Sequence, residues 1–242
     1  MTGGAAQLLL GGIVMVGACV QWLTGMGFAL VAVPALVLLL GPSQGVALAN
    51  CAAGAISAVG LAGGWRRVRL TAMAPLVAAS VCAVPAGTWV AAQLPHPVLF
   101  VGMGLLVTLA VLLVMRGLRV SALTGTQGAV AAGAAGGFMN ASAGLGGPPL
   151  SLYAMNAGWT VREFVPNAQF YGVVVNIFSI AANGVPRLGS TGWATAVAAM
   201  AMGAVVGRVL AERVPEGRAR RLVLLLALAG GLSSLAKGLG LL

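Results

Sequence analysis

Apolar residues fill most of this chain in runs that short polar or glycine-rich segments interrupt. The runs cover residues 5–23, 28–40, 44–65, 71–94, 98–116, 127–142, 147–157, 161–184, 191–212 and 220–240. Because a helix needs about 20 apolar residues to cross a bilayer, most of these runs predict transmembrane helices. The second and seventh runs are too short for ordinary spans, so they predict short helices that begin inside the membrane.

Composition indicates the class of protein. Of the 242 residues, 60% are hydrophobic and 7% are charged, which is too few charges to cover the surface of a soluble fold. Apolar runs recur along the whole length, so we expect a polytopic membrane protein whose first run is a helix and not a cleaved signal. The net charge of +10 comes mostly from arginines between apolar runs. That placement is typical of membrane topology and not of a nucleic-acid-binding face.

A glycine-bearing break precedes each short run, and the surrounding residues indicate an internal repeat. One set of matches, at an offset of 119 residues, is Gln21, Gly25 and Gly27 with Asn140, Gly144 and Gly146. A second set, at an offset of 117, is Gly41, Ser43 and Asn50 with Gly158, Thr160 and Asn167. In the second set we expect each hydroxyl to cap a helix. The sequence therefore predicts two related repeats, 1–119 and 120–242, within one membrane domain.

Arginine placement predicts that the two repeats are inverted. Residues 65–69 hold three arginines and their counterpart holds one, whereas 94–97 hold none and 213–221 hold four. This alternation fits halves of opposite orientation under the positive-inside rule. Residues 66–69, 116–119 and 213–221 are then cytoplasmic, and both termini are outside. Each half is predicted to contain three spanning helices and a broken or re-entrant helical hairpin, which gives an all-α membrane protein of 8 to 10 membrane segments.

The breaks also predict an anion site. Backbone that leaves helical geometry within a bilayer must be buried in protein or line a wet cavity. Pro148 and Pro149 suit the first turn of a helix that begins near Gly147, and the free N–H groups and positive dipole end of a helix start attract anions. Inverted halves would bring the two helix starts together from opposite sides.

The predicted substrate-binding residues are the glycines of the breaks and the neutral donors near them. They are Asn140, Ser142, Gly144, Gly146, Gly147, Gln21, Thr24, Gly25, Gly27, Asn50, Asn167 and Gln169, with Tyr153 and Tyr171 as weaker candidates. For the glycines taken alone, close helix packing is the alternative interpretation. For any single amide or hydroxyl, the alternative is a hydrogen bond between helices.

The two broken halves, and above all the stretch "GLGGPPLSLY" at 144–153, resemble the sulfite exporter TauE/SafE family, also called the toluene sulfonate uptake permease family. The resemblance covers nearly the whole chain. It implies a bacterial inner-membrane carrier for sulfur-containing anions such as sulfite, sulfoacetate, other organosulfonates or thiosulfate. The first half departs from the family pattern, because only "TGMGFALVAVP" stands where a second glycine-rich, proline-containing motif is expected.

Few residues support any other function. A serine hydrolase built on Ser142 would depend on His96, the single histidine, which lies in a short loop between prolines. Cys19, Cys51 and Cys82 lie within apolar runs without metal-ligand spacing, so we expect no metal, no cofactor and no enzyme activity. An anion channel of the same architecture is the alternative to a carrier, and a homodimer is left open.

The chain contains only three acidic residues, all glutamates. Two ion pairs at helical spacing are predicted near a cytoplasmic loop, Arg208 with Glu212 and Glu216 with Arg220. Glu163 is predicted to form a capping box with Thr160. No carboxylate then remains for a proton relay or an acidic sodium site. We therefore expect facilitated movement of the anion, or coupling through protonation of the substrate itself.

Overall fold

A computed structural model describes residues 4–25, 27–116, 123–211, 213 and 216–241. Its α-helices are α1 (Gly4–Thr24), α2 (Phe28–Leu40), α3 (Pro42–Ala62), α4 (Leu70–Gln93), α5 (His96–Arg116), α6 (Gly125–Ala143), α7 (Gly147–Asn156), α8 (Val161–Asn183), α9 (Ser190–Ala211) and α10 (Glu216–Leu239). A 3-10 turn, Trp65–Arg67, lies between α3 and α4. No strand occurs in the part of the chain that the structure describes.

The all-α membrane architecture predicted from the sequence is confirmed. Six of the described helices, α1, α3, α4, α5, α8 and α9, are long and apolar enough to cross a membrane. The two short segments after the breaks are also confirmed, since α2 has 13 residues and α7 has 10. Large apolar side chains such as Leu8 and Val205 are exposed on the bundle. Such a surface fits contact with lipid chains.

Both breaks begin with a glycine that has a left-handed backbone conformation. Gly25 and Gly144 follow the ends of α1 and α6 with left-handed φ angles of 76° and 70°, a conformation that glycine adopts without a steric penalty. Their N–H groups donate to the carbonyl oxygens of Gln21 and Asn140, at 2.8 Å and 2.9 Å. Glycine is therefore required at these two positions by the backbone, because it ends each helix and turns the chain.

Helix starts correct one part of the predicted repeat. α2 and α7 begin 119 residues apart, and so do α3 and α8. α7 is shorter than α2, but the connection from α7 to α8, residues 157–160, is longer than the connection from α2 to α3, which is Gly41 alone. The longer connection compensates for the shorter helix, so the offset between helix starts stays the same. Gly41 and Gly158 both follow their short helices with positive φ, but the predicted offset of 117 does not extend from them into α3 and α8. In the helix register, Asn50 matches Gln169 rather than Asn167.

Helix capping is confirmed in one half and wrong in the other. Thr160 caps α8, and Glu163 completes the predicted capping box. Ser43 does not cap α3, because Gly41 is the N-cap residue and makes no side-chain cap hydrogen bond. Pro42 occupies the first turn of α3 directly after it. With a one-residue connection, the helix has already begun when the chain reaches Ser43.

The main helix contacts join the two predicted halves. α1 packs along α9, and α6 packs along α4. Glycines make both contacts close: a Cβ atom at Gly133 or Gly137 of α6 would overlap the backbone of α4, and one at Gly203 or Gly207 of α9 would overlap the backbone of α1. Small residues let membrane helices approach in this way. Some of the chain's glycines therefore have the packing role that the sequence left open for them.

Two further contacts between the halves run antiparallel, α3 against α8 and α5 against α10. The neighbouring positions are Gly54 with Asn176 and Gly60 with Gln169 in the first pair, and Gly238 with Val101 and Gly104 with Leu235 in the second. In each pair, residue numbers rise along one helix as they fall along the other. The end of α3 therefore lies beside the start of α8.

Candidate functional site

A small cavity, which we call the central cavity, lies at the starts of α2 and α7. Its volume is about 40 Å³. It is lined by Gln21, Ala29, Leu30, Ala53 and Ser57 of the first half and by Asn140, Gly146, Gly147, Pro148, Ala168, Tyr171, Gly172, Val175 and Asn176 of the second. No charged side chain is part of this lining. Any ligand here would meet neutral polar groups and helix starts from both halves.

Gln21 and Asn140 cap the two short helices with their side-chain oxygens. Gln21 Oε1 accepts hydrogen bonds from the N–H groups of Gly27 and Phe28, each at 3.0 Å. Asn140 Oδ1 accepts from the N–H of Gly146 at 3.1 Å. Both amides are 5% exposed. They hold the helix starts in place from within the protein, which adds a structural role to the donor role predicted from the sequence.

The amide nitrogens of these two side chains are fixed by α3 and α8. Gln21 Nε2 donates to Ser57 Oγ at 3.2 Å. Asn140 Nδ2 donates to Asn176 Oδ1 at 3.1 Å and to Ser179 Oγ at 2.9 Å. Ser57 and Asn176 each lie 36 residues after the amide that they bind. This shared spacing between polar residues is a signal in the sequence for two cavity residues, Ser57 and Asn176, that are not among the predicted site residues.

The two helix starts leave different numbers of N–H groups for a ligand. The first turn of a helix has four N–H groups without partners inside the helix. In α2, Gln21 binds two of them, and those of Ala29 and Leu30 have no partner among the described residues. In α7, Pro148 has no N–H, so Gly147 is the cavity-lining residue whose N–H stays free there. The α2 start therefore offers more donors than the proline-marked α7 start.

Tyr171 is the one weaker candidate that lines the central cavity, and it is 2% exposed. Its hydroxyl lies 3.0 Å from Ser80 Oγ, which in turn donates to the carbonyl oxygen of Gly133 at 2.7 Å. These contacts join α8, α4 and α6 behind the cavity. Tyr153 instead packs edge-on against Trp159, with ring centroids 5.7 Å apart, and is not part of the cavity lining.

A larger cavity of about 420 Å³, the Gln169 vestibule, lies at the end of α1 and the start of α8. Its polar lining includes Gln21, Thr24 and Gln169, together with Gly25. Gln169 Nε2 donates to the carbonyl oxygen of Gly25 at 3.1 Å, which ties the first break to α8. Because Gln21 lines both this vestibule and the central cavity, the two spaces are neighbours.

A third cavity of about 520 Å³, the Arg187 vestibule, lies at the opposite helix ends. It shares no lining residue with the central cavity. Along α1, Val14 and Ala18 lie between the vestibule residue Leu10 and Gln21, and both are 0% exposed. Along α2, the corresponding stretch includes Leu36, which is also 0% exposed. A layer of buried apolar side chains therefore separates this vestibule from the central cavity.

Comparison with known families agrees with this membrane architecture. The family model described as Sulfite exporter TauE/SafE matches residues 9–234. The chain belongs to the TauE/SafE family. The resemblance seen in the sequence is therefore confirmed, and this TauE/SafE protein is a multi-pass membrane transporter with an anionic substrate. A family of transporters agrees with the expectation that the chain is not an enzyme. Neither a curated protein nor a solved structure matches the sequence significantly.

The TauE/SafE structure brings some predicted site residues together and separates others. Gln21, Asn140, Gly146 and Gly147 line the central cavity, and the N–H of Gly27 binds Gln21 beside it. Three further predicted residues, Thr24, Gly25 and Gln169, line the Gln169 vestibule. The Thr24 hydroxyl donates a hydrogen bond to the carbonyl oxygen of Val20 in its own helix. For the residues in either space, anion binding stays a prediction.

Four other predicted residues line neither the central cavity nor the Gln169 vestibule of this TauE/SafE protein. Ser142 donates to the carbonyl oxygen of Phe138 within its own helix at 2.8 Å. A Cβ atom at Gly144 would meet Val33, so this glycine packs tightly where it turns the chain. Asn50 is 1% exposed, and its Nδ2 has no partner among the described residues. The fourth is Asn167.

Asn167 is fully buried at the start of α8 and binds backbone groups on two elements. Its Oδ1 accepts from the N–H of Arg69 at 2.9 Å, and its Nδ2 donates to the carbonyl oxygen of Glu163 at 2.7 Å. Arg69 and Glu163 also form an exposed ion pair at 3.0 Å. Asn167 therefore fastens the chain before α4 to the first turns of α8.

Asn167→Ala should destabilise the protein and leave its anion affinity unchanged. The substitution removes the acceptor of the Arg69 N–H and leaves that part-buried group without its partner, which costs about 1 to 3 kcal/mol and should lower the midpoint of thermal unfolding by several degrees. Unfolding of the purified protein in detergent and calorimetric titration with sulfite measure the two effects. An unchanged unfolding midpoint together with weaker sulfite binding would contradict the structural role and place Asn167 in the site.

Charged and metal-binding side chains add little to the site. The predicted Arg208–Glu212 and Glu216–Arg220 pairs depend on side chains outside the described part of the chain. Within the described residues, no group of three or more His, Cys, Asp or Glu side chains lies close enough to hold a metal ion. The chemistry available to a ligand in the central cavity is therefore hydrogen bonding and the field of the helix starts.

Proposed function

We propose that this protein is a carrier that moves small sulfur-containing anions such as sulfite, sulfoacetate, other organosulfonates or thiosulfate across a bacterial inner membrane. Transport occurs by alternating access to the central cavity. The observation that carries the proposal is the pair of helix starts beside a cavity whose lining has no charged side chain. Helix starts favour anions through their free N–H groups and dipoles. Family membership points to sulfur-containing anions.

The packing of equivalent helices supports the inverted arrangement of the two repeats. α3 runs antiparallel to its counterpart α8, and α5 runs antiparallel to α10. Under the positive-inside rule, the arginine-rich segment 66–69 faces the cytoplasm. The Gln169 vestibule, which lies at the same helix ends, then opens inward, and the Arg187 vestibule opens outward.

Unequal access to the central cavity supports a carrier over a channel. The cavity neighbours the Gln169 vestibule through Gln21, whereas buried apolar residues such as Val14 and Leu36 separate it from the Arg187 vestibule. A carrier exposes its binding site to one side at a time, around a site near the middle of the membrane. In this conformation, the central cavity is therefore more accessible from the proposed cytoplasmic side than from the proposed outer side.

The volume of the central cavity favours the smallest of the proposed substrates. A single water molecule needs about 10 to 15 Å³ of cavity volume, and the cavity measures about 40 Å³. That space suits a compact inorganic ion such as sulfite. An organosulfonate with a carbon chain would require the cavity to widen, so sulfite should bind this conformation more tightly than sulfoacetate does.

Transport by purified protein in liposomes tests the proposed function. We expect saturable uptake of radiolabelled sulfite under anaerobic conditions, stimulated by unlabelled sulfite on the opposite side of the membrane. Thiosulfate and sulfoacetate should compete with sulfite more strongly than chloride does. Uptake that neither saturates nor responds to sulfite on the opposite side would identify an anion channel. A complete lack of sulfur-anion uptake by folded protein would overturn the proposal.

Ala29→Pro should weaken sulfite binding about ten- to a hundredfold in protein that still folds. Proline is tolerated in the first turn of a helix, and this substitution removes one of the two N–H groups at the α2 start that have no partner among the described residues. A hydrogen bond to a charged group contributes about 1.5 to 3 kcal/mol. Titration calorimetry gives the Kd. The matched variant Pro148→Ala adds an N–H at the α7 start and should bind at least as tightly as wild type. If Ala29→Pro and Pro148→Ala weakened sulfite binding equally, the proposed role of the N–H groups at the two helix starts would be contradicted.

Single cysteines should report the orientation of the protein in the membrane. In a background without Cys19, Cys51 and Cys82, a cysteine at Val68 should react with an impermeant thiol reagent only from the cytoplasmic side. A cysteine at Val185, which is 63% exposed, should react only from outside. Intact cells and inverted vesicles provide the two measurements. The reverse pattern would invert the assignment of the two vestibules.

A further inference from the structure

The Arg187 vestibule holds a second set of groups that suit an anion. Its polar lining consists of Gln7, Gln44, Arg187 and Thr191, and the other lining residues are leucines and glycines. At about 520 Å³ it is far larger than the central cavity. A buried apolar layer separates the two spaces, so Arg187 is not part of the site described above.

Arg187 has no carboxylate partner within the described part of the chain. The one ion pair found there joins Arg69 to Glu163, at the other end of α8. The backbone N–H of Arg187 donates to Gln44 Oε1 at 2.6 Å, and this bond attaches the loop before α9 to the start of α3. Since the attachment uses the backbone, the exposed guanidinium is not needed to hold the loop.

Membrane topology does not account for Arg187 either. Other described arginines lie at the opposite helix ends, after α3, at the end of α5, at the start of α8 and toward the end of α9. Positive residues are disfavoured in loops that face outward. Lys237 lies at the same end as Arg187 but has its own contacts, because Nζ donates to the carbonyl oxygen of Leu38 and lies 4.7 Å from the centre of the Phe100 ring.

We propose that the Arg187 vestibule binds the sulfur oxyanion at the outer face, as a loading or release site separate from the central cavity. A guanidinium presents paired N–H groups that match two oxygens of a sulfite or sulfonate group. Gln7, Gln44 and Thr191 add neutral donors around it. A positive charge in a cleft also raises the local concentration of anions. The inference rests on the proposed function, since it assigns a second site to the same transported anion.

A phospholipid headgroup carries a similar oxyanion and is the other source of this chemistry at a membrane surface. Two lipid compositions distinguish the sources, phosphatidylcholine alone and phosphatidylcholine with phosphatidylglycerol. If Arg187 binds the transported anion, the effect of its removal is the same in both. If Arg187 binds a headgroup, the effect appears only with the anionic lipid.

The experiment measures sulfite half-saturation separately at each face of oriented proteoliposomes. Arg187→Gln should raise the half-saturation concentration at the Arg187 face about tenfold, because it removes one charge-assisted hydrogen-bonding group. The half-saturation at the other face should not change, and the maximal rate of transport toward the Arg187 face should fall in proportion, because detailed balance requires the same ratio of maximal rate to half-saturation in both directions. Arg187→Lys keeps the charge and should recover most of the affinity. Arg162→Gln, at the opposite end of α8, is the matched control and should have no effect at the Arg187 face.

Each outcome decides the inference. A face-specific rise in half-saturation that weakens at high ionic strength, in both lipid mixtures, supports it. Unchanged half-saturation at both faces in an active Arg187→Gln protein overturns it and leaves the proposed function intact. An effect confined to anionic liposomes overturns it in favour of a lipid site. A folded wild-type protein that moves no sulfur anion overturns the proposed function and the inference together.

Discussion

Asn140→Asp should reduce sulfite affinity by more than a hundredfold and abolish transport. The carboxylate has nearly the shape of the amide and keeps an oxygen for the N–H of Gly146, but it loses the N–H donors that bind Asn176 and Ser179. It also places negative charge at the central cavity. Repulsion between two unit charges about 5 Å apart costs roughly 3 kcal/mol at an effective dielectric constant of about 20. Titration calorimetry and proteoliposome uptake measure the two losses.

The matched control is Asn156→Asp at the end of α7. That amide donates to the carbonyl oxygen of Leu152 and does not line the central cavity, so its replacement should leave sulfite affinity within about threefold of wild type. Thermal unfolding of both variants shows whether the protein remains folded. If folded Asn140→Asp protein binds sulfite normally, the anion site is not at the α7 start, and the proposal for the central cavity fails.

Gly137→Ala should be the most destabilising small substitution in the α4–α6 contact. A single methyl group there would overlap the backbone of Ser80, which cannot rotate away as a side chain can, so the two helices must separate. Forcing extra atoms into a packed interface costs about 1 to 3 kcal/mol, and more when backbone must move. For a protein of this size, about 3 kcal/mol corresponds to a fall of about 10 °C in the unfolding midpoint. Thermal unfolding in detergent measures it.

Gly12→Ala is the control for that measurement. A Cβ atom at Gly12 of α1 has no heavy atom within 4 Å, so this variant gains the better helix propensity of alanine without a clash. The difference between the two unfolding midpoints therefore isolates helix packing. Equal midpoints would show that the α4–α6 contact tolerates a wider separation than the close approach at Gly137 suggests.

The breaks in the helices were predictable because glycine at Gly25 and Gly144 is a requirement of the backbone. Both residues take left-handed φ angles, and a short apolar run follows each of them in the sequence. The capping box of Thr160 and Glu163 was predictable for a similar reason, because it is a local pattern of residues a few positions apart. Local geometry leaves a direct signal in the sequence.

The partners of the capping amides were not predictable to the same degree. Ser57 and Asn176 lie in the middle of long helices, where sequence alone does not show which face is turned to a cavity. An amide carries a donor and an acceptor, and only the structure shows that the oxygens of Gln21 and Asn140 bind helix starts. Asn50 matches Asn167 only when the glycines after the two short helices are superposed, whereas the helix starts, which are 119 residues apart, match Asn50 with Gln169.

The glycine contacts between α1 and α9 and between α4 and α6 limit how this transporter can move. The long helix of each broken hairpin packs along a helix from the other predicted repeat, so the helices of the predicted repeats 1–119 and 120–242 interleave and do not form two separate lobes. A cycle in which one lobe rocked against the other would have to pull apart these close helix contacts. If transport proceeds by alternating access, we therefore expect mixed moving bodies, each composed of helices from both predicted repeats, with α1 moving together with α9 and α6 together with α4.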